Sequence, residues 1–230
     1  MREIKTNIKN PKLVEKRRNQ ILKVAVGLFR KNGYHATTMR EICEKANVNL
    51  GSFYNYFGSK KDILVYIYKS MMYYRGVFGK TFPKIKISSW DDLESFLRDM
   101  ILPSLGRHKH PIQLLYRETI SLDKKTLREV LQIESDYIRW VAENLREGLG
   151  LPSTNSKLEL LANLVVYINS FIPLRGWNLH HLEQEEIVDF AVDVLMTKLK
   201  ELCPESRKAE MITQESRIPT WYETMKTNQP

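Results

Sequence analysis

The sequence predicts an all-α protein of about nine helices, on three observations. Apolar residues recur at helical spacing in stretch after stretch, and no run alternates as a strand would. Pairs with capping-box spacing, Thr38/Glu41, Ser59/Asp62 and Ser156/Glu159, stand where new helical patterns begin. Gly33, Gly58, Gly79, Pro83, Gly148, Gly150 and Pro204 punctuate those patterns where they end. In 230 residues, 43% hydrophobic and 27% charged, there is enough apolar surface for one large core or two modest ones.

The first helix runs from about Lys12 to Lys31, with Ile21, Val24, Ala25, Leu28 and Phe29 on one face, and Asn32-Gly33 stops it. A second, short helix opens at Thr38 and ends near Ala46-Asn47, where asparagine tolerates the left-handed backbone of a tight turn. Asn49 is a suitable N-cap for a third helix, Leu50 to Tyr56. Gly58 ends it, and the Ser59/Asp62 pair starts a fourth near Lys60 that continues to about Phe78, before Gly79 and Pro83 open a loop. Later helices run from after Ser89 to about Leu102, briefly after Pro111, from Asp123 to Glu147 with Gly148 and Gly150 closing it, from Ser156 to Ile172, and from Glu183 to Leu202 before Pro204. The polar residues after Glu205 read as a frayed tail.

Charge is unevenly placed. Residues 1–62 hold 14 basic and 5 acidic side chains, which accounts for the whole +9 of the chain and leaves the remainder neutral. That asymmetry points to a polyanion partner for the first quarter of the chain, against the plainer reading of a solubilising basic tail. Two distant cysteines, Cys43 and Cys203, exclude a disulfide framework and fit a reducing, cytoplasmic setting. The charged N-terminus has no apolar signal core. The most apolar stretch, Leu158 to Leu174, is broken by Asn163, Asn169 and Pro173, as in a buried helix rather than a membrane span.

The second and third helices, joined by a short turn, have helix-turn-helix dimensions. In that motif the first helix crosses the phosphate backbone and the second enters the major groove. Ile42, Cys43, Ala46, Val48, Phe53 and Phe57 would pack inward against Leu28 and Phe29. Arg40, Asn49, Leu50, Ser52, Tyr54, Asn55 and Tyr56 are left for the outer surface and its rims. Leucine and tyrosine beside asparagine and serine suit base edges and thymine methyl groups better than bulk water.

The stretch from Thr37 to Phe57 (TTMREICEKANVNLGSFYNYF) resembles the DNA-binding signature of TetR/AcrR-family regulators. Ile21 to Phe29 with Gly33-Tyr34 is similar to the helix that precedes it in that family, and Ser59-Lys60-Lys61-Asp62-Ile63-Leu64 to the one that follows. Asn47 stands where the family usually has glycine, and Cys43 where it usually has alanine. The resemblance implies that Asn49, Leu50, Gly51 and Ser52 face base edges and that Arg40 reaches a guanine or a nearby phosphate. It implies that Tyr54, Asn55 and Tyr56 grip the backbone, and that Thr38 and Lys60 hold phosphates at helix N-termini. The alternative for the two tyrosines is core filling, which fits one of them but not both, because Phe53 and Phe57 already serve the core.

Other constellations carry less. Gly76-Val77-Phe78-Gly79-Lys80-Thr81 lacks the first glycine of a phosphate loop, since Tyr74 stands there, and it lacks the preceding strand. The histidine pairs His108/His110 and His180/His181 have no cysteine or carboxylate at metal-ligand spacing. No catalytic motif appears, so neither an enzyme nor a metal or cofactor site is expected.

The division expected is a basic N-terminal arm (1–14), a helix-turn-helix domain (15–62), a larger helical ligand-binding and dimerisation domain (63–205) and a polar tail (206–230). Tyr66, Tyr73, Phe96, Met100, Tyr116, Tyr137, Trp140 and Tyr167 recur on helices long enough to line a cavity, with core packing the plain alternative for each. The resemblance implies a small-molecule effector there, with Arg117, Asn169 and Arg175 as polar orienting groups and Glu118 beside them. The segment Tyr116-Arg117-Glu118-Thr119, with Trp140, is similar to members that sense fatty acyl-CoA, which favours a hydrophobic effector. Leu158, Leu161, Val165, Ile168 and Ile172, with Ile187, Phe190, Ala191, Val194 and Leu195, form faces that the resemblance implies pair with a second copy. The expected protein is therefore a homodimeric repressor on double-stranded DNA with a pseudo-palindromic operator, with no membrane partner. The competing expectations are a constitutive architectural DNA binder and an enzyme with a vestigial basic head.

Overall fold

The computed structural model describes residues 11–72, 84–106, 108–119 and 122–213. Tyr73, the 76–81 stretch, the Gly79/Pro83 loop, most of the basic arm and the tail beyond 213 lie outside these residues. Ten helices are present among the described residues: α1 (Pro11–Asn32), α2 (Met39–Lys45), α3 (Leu50–Phe53), α4 (Lys60–Met72), α5 (Trp90–Leu105), α6 (Lys109–Glu118), α7 (Lys124–Gly148), α8 (Ser156–Arg175), α9 (Gln184–Leu202) and α10 (Glu205–Thr213). They pack as two units, which divide the chain differently from a boundary at 62/63. One unit holds α1–α4, α6 and the first half of α7; the other holds α5, the rest of α7 and α8–α10.

The first unit is built on the periodic face of α1. Ile21, Ala25, Leu28 and Phe29 are buried with Ile42 and Ala46 of α2, Phe53 and Phe57, and Ile63 and Leu64 of α4. α6 adds Leu114 and Leu115. Its last turn is tied down by polar contacts: Arg117 Nη2 donates to Phe29 O at 2.6 Å, and Tyr68 Oη donates to Leu115 O at 3.3 Å. The Tyr68 hydroxyl also meets that of Thr119. Burial pushes the Tyr68 phenol up to about 12. Asp123 starts α7, accepting from the backbone N–H and the hydroxyl of Thr126 and from Lys61.

In the second unit α5, α8 and α9 pack on one another and on the second half of α7. Ser89 caps α5 in a full capping box with Asp92. Ahead of it an extended segment turns Ile85 and Ile87 inward, and Ile85 N–H donates to Asn144 Oδ1 at 2.7 Å. Residue 148 must be small: a Cβ on Gly148 would lie 2.7 Å from that of Ile87. Gly150, at φ 65°, closes α7, with Leu151 N–H returning to Arg146 O and Gly150 N–H to Glu147 O.

α8 is capped by Asn155, one residue before the serine expected there, through Leu158 N–H at 3.1 Å. It is long and apolar enough to cross a membrane by length and composition, with mean hydropathy 1.3. Its Leu158, Ala162, Val165 and Ile172 are packed in the second core.

α10 corrects the reading of everything after Glu205 as frayed tail. Met211 is buried in the second core. Arg207 Nε donates to Gly148 O at 2.9 Å, and its Nη2 to Ile87 O at 3.4 Å.

Candidate nucleic-acid interface

The site starts at the end of α1. Gly33, at φ 88°, turns the chain, and the buried Thr37 donates its hydroxyl to Gly33 O at 2.8 Å. Thr38 then caps α2. Its oxygen accepts from Glu41 N–H, while its own N–H and hydroxyl donate to the Glu41 carboxylate at 2.7 and 2.9 Å. These bonds hold the Glu41 carboxyl below its ordinary range.

α2 ends at Ala46, and Asn47 adopts φ 50°, the left-handed turn expected of it. Asn49 caps α3 by accepting from Ser52 N–H at 2.7 Å. α3 is shorter than the Leu50–Tyr56 expected: after Phe53 the chain tightens, with Asn55 N–H reaching Ser52 O and Tyr56 N–H reaching Phe53 O.

Facing is settled by that short helix. Phe53 and Phe57 are buried, and Phe57 meets Tyr66 edge-on at 5.4 Å. Thr38, Arg40, Asn49, Leu50, Gly51 and Tyr54 are exposed, Tyr54 by 51%. Ser52 and Asn55 are half-buried. At Gly51 a Cβ would meet only Asn49 Oδ1 at 3.5 Å, an ordinary contact. The fold itself would therefore accept a side chain there, and bare backbone leaves clearance for a close partner.

Two residues are placed otherwise than the phosphate roles expected for them. Tyr56 is in the core, 7% exposed, so of the two tyrosines it is the one that fills space. Lys60 turns back: its Nζ donates to Tyr34 O at 2.6 Å, His35 O at 3.0 Å and Thr37 O at 2.8 Å. It also sits 4.6 Å from the centre of the Tyr34 ring. Burial lowers its pKa, opposed by Glu118 and Glu41. An ammonium carries only as many donors as there are carbonyls here, so this one is fully used in holding the α1–α2 connection. Helix-start position suggested a phosphate contact, but the acceptors come from backbone that sequence spacing does not reveal.

The residues expected to line an effector cavity are dispersed. Phe96, Met100, Tyr137 and Trp140 come together in the second unit, where Trp140 lies edge-on to Phe96 at 5.8 Å and stacked on Tyr137 at 5.6 Å. Asn169, in the same unit, has a buried Oδ1 with no hydrogen-bond partner among the described residues. Tyr66 instead fills the first core, under Arg18 at 5.5 Å. Tyr116 and Tyr167 are exposed, Arg117 belongs to the first unit, and Arg175 lies over the exposed Trp177 at 5.7 Å.

The expected dimer faces also need correction, except at Phe190 and Val194, which are exposed. Leu158, Val165, Ile172 and Leu195 are buried inside their own unit, and Leu161, Ile168, Ile187 and Ala191 are half-buried. The apolar face that α8 leaves outward is Leu160, Leu164, Tyr167 and Phe171, and α9 adds Phe190 and Val194. α8 is apolar nearly all round, so periodicity alone favours neither face.

A capped short helix, a left-handed turn and a second helix with an open N-terminal face define a helix-turn-helix protein. The family model of bacterial regulatory proteins of the tetR family matches residues 21–67. The chain is 44% identical over 69 residues to the HTH-type transcriptional regulator HbdR of Aromatoleum sp. (strain CIB), covering 30% of each chain. It is 24% identical over 192 residues to the uncharacterized HTH-type transcriptional regulator YerO of Bacillus subtilis, 79% of this chain and 64% of that one. The chain thus spans less than two thirds of the length of these relatives. Its fold is similar to that of the transcriptional regulator FadR from Bacillus subtilis in complex with stearoyl-CoA, with TM-score 0.57 and 18% identity over 78% of this chain and 98% of that one. Residues 21–67 are thus similar to the helix-turn-helix domain of tetR-family bacterial regulatory proteins.

Proposed function

We propose that this protein is a cytoplasmic, homodimeric repressor that binds a pseudo-palindromic operator and leaves it when a small hydrophobic effector binds. The observation that carries the reading is the outward row Asn49, Leu50, Gly51 and Tyr54 on a helix whose Phe53 is fully buried. Such a helix offers amide, methyl and phenol groups at groove depth, with bare backbone between them. A matched base contact discriminates by about 1–3 kcal/mol. Arg40 and Thr38 serve the guanine or phosphate contacts beside it.

Dimerisation is assigned to the outer faces of α8 and α9, where Leu160, Leu164, Phe171 and Phe190 are exposed. Two recognition helices about 34–36 Å apart would then read successive major grooves. The effector is assigned to the second unit, around Phe96, Met100, Tyr137 and Trp140, with Asn169 as the polar group. The similar fold of a regulator in complex with stearoyl-CoA favours a long acyl chain as its class. An effector shifts the repressor only by its differential affinity for the two states.

The test is selection of bound duplexes from a random pool, with and without stearoyl-CoA. The reading expects one palindromic site at least about 10³-fold tighter than random DNA. It also expects Leu50→Ala or Ser52→Ala to relax preference at one or two base positions, and the acyl-CoA to weaken binding. Uniform affinity for every duplex, insensitive to acyl-CoA, would instead identify a constitutive architectural binder.

A further inference from the structure

α1 carries exposed cations whose placement is not explained by the fold. Gln20 Nε2 donates to Ala46 O at 2.7 Å, the carbonyl at the end of α2 and the start of the helix-turn-helix turn. A carbonyl only accepts, so this bond fixes which way the amide points and turns its Oε1 outward. Arg17 Nη1 donates to that oxygen at 2.9 Å. A guanidinium is thus held two hydrogen bonds from the turn that leads into the recognition helix.

Lys16, Arg17 and Lys23 all lie within about 60° of Gln20 around the helix axis, and all three are exposed. Two other cations of α1 are engaged elsewhere: Arg18 lies over the Tyr66 ring, and Arg30 meets the His110 ring at 2.8 Å. Glu15 acts on Tyr66, on the side of the helix where Arg18 lies. The face anchored to the turn is therefore a strip of cations with no carboxylate on it.

We infer that Lys16, Arg17 and Lys23 form a second line of phosphate contacts. They would grip the duplex backbone beside the groove that α3 enters, with Gln20 as the positioning residue that sets Arg17 against the turn. This rests on the reading of α2–α3 as the DNA-binding element and adds contacts from a helix outside that motif. Phosphate contacts fix register without reading sequence, so the strip adds affinity equally on all duplexes.

The test is an anisotropy titration of the full chain on the selected duplex and on a scrambled one, across a range of KCl concentrations. Each neutralised phosphate contributes about 0.9 to the slope of log K against log salt. Lys16→Gln, Arg17→Gln and Lys23→Gln combined should lower the slope by roughly 0.9 for each cation engaged, by the same factor on both duplexes and with the melting temperature kept. Arg17→Gln should cost less in a Gln20→Leu background than alone. An unchanged slope in the triple variant overturns the strip, as does a loss confined to the selected duplex. Equal effects of Arg17→Gln with and without Gln20 overturn the positioning role. Wild-type protein that binds no duplex removes the DNA-binding reading itself, whereas normal wild-type binding with an unaltered triple variant removes only the strip.

Discussion

The helix-turn-helix segment and the α8–α9 pair differ in how many faces their apolar residues occupy. In α2, α3 and the turn that follows, every large apolar side chain but Leu50 and Tyr54 is buried or packed against the first core, so the two exceptions stand out. In α8 one face is buried and another, from Leu160 to Phe171, is open, with comparable side chains on each. A surface helix with one apolar face has its orientation written in its pattern. A helix with two does not, and only the neighbours it packs on decide which turns inward.

The contrast between inward and outward apolar side chains is large on α9. Leu195 is fully buried and Phe190 is 72% exposed. Leu195→Ala should lower unfolding stability by about 2–5 kcal/mol in urea titrations. Phe190→Ser should instead shift sedimentation from dimer towards monomer while leaving the dilute protein's urea midpoint nearly unchanged. Equal destabilisation by both, with no change in mass, would remove the distinction between inner and outer faces.

Within the first unit, Lys60 separates structural from DNA-facing charge. Lys60→Met leaves three carbonyls without their donor and should cost about 1–3 kcal/mol of stability, with the salt slope of DNA binding kept. A shallower slope at unchanged stability would return Lys60 to the phosphate role. The smallest effect belongs to the turn. Asn47→Val, forced to φ 50°, should cost about 1–2 kcal/mol, whereas Asn47→Gly should leave the thermal midpoint close to that of the wild type.

Much of the first unit was legible in the sequence because its signals are local. Thr38 with Glu41, Asn49 before Leu50 and the tolerant Asn47 each act within a few residues, and each has its expected conformation. The long-range pairings were not legible. Lys60 finds acceptors 23 to 26 residues away, and Gln20 finds Ala46 O at a separation of 26. Tyr66 resembles a cavity residue by type, but its place on α4 puts it against Phe57. α10 escaped because it buries one strongly placed apolar residue, Met211, and its remaining anchor is an arginine bound to carbonyls of two distant segments. Its Lys208–Glu205 and Arg207–Glu210 pairs at helical spacing were local hints.

The seating of α10 bears on where this chain can be shortened. Trimming at Pro204 to remove apparently dispensable polar residues would strip Met211 from the second core and take Arg207 away from Gly148 O and Ile87 O. Affinity tags and fusion partners belong beyond residue 213, where they leave this plug in its socket.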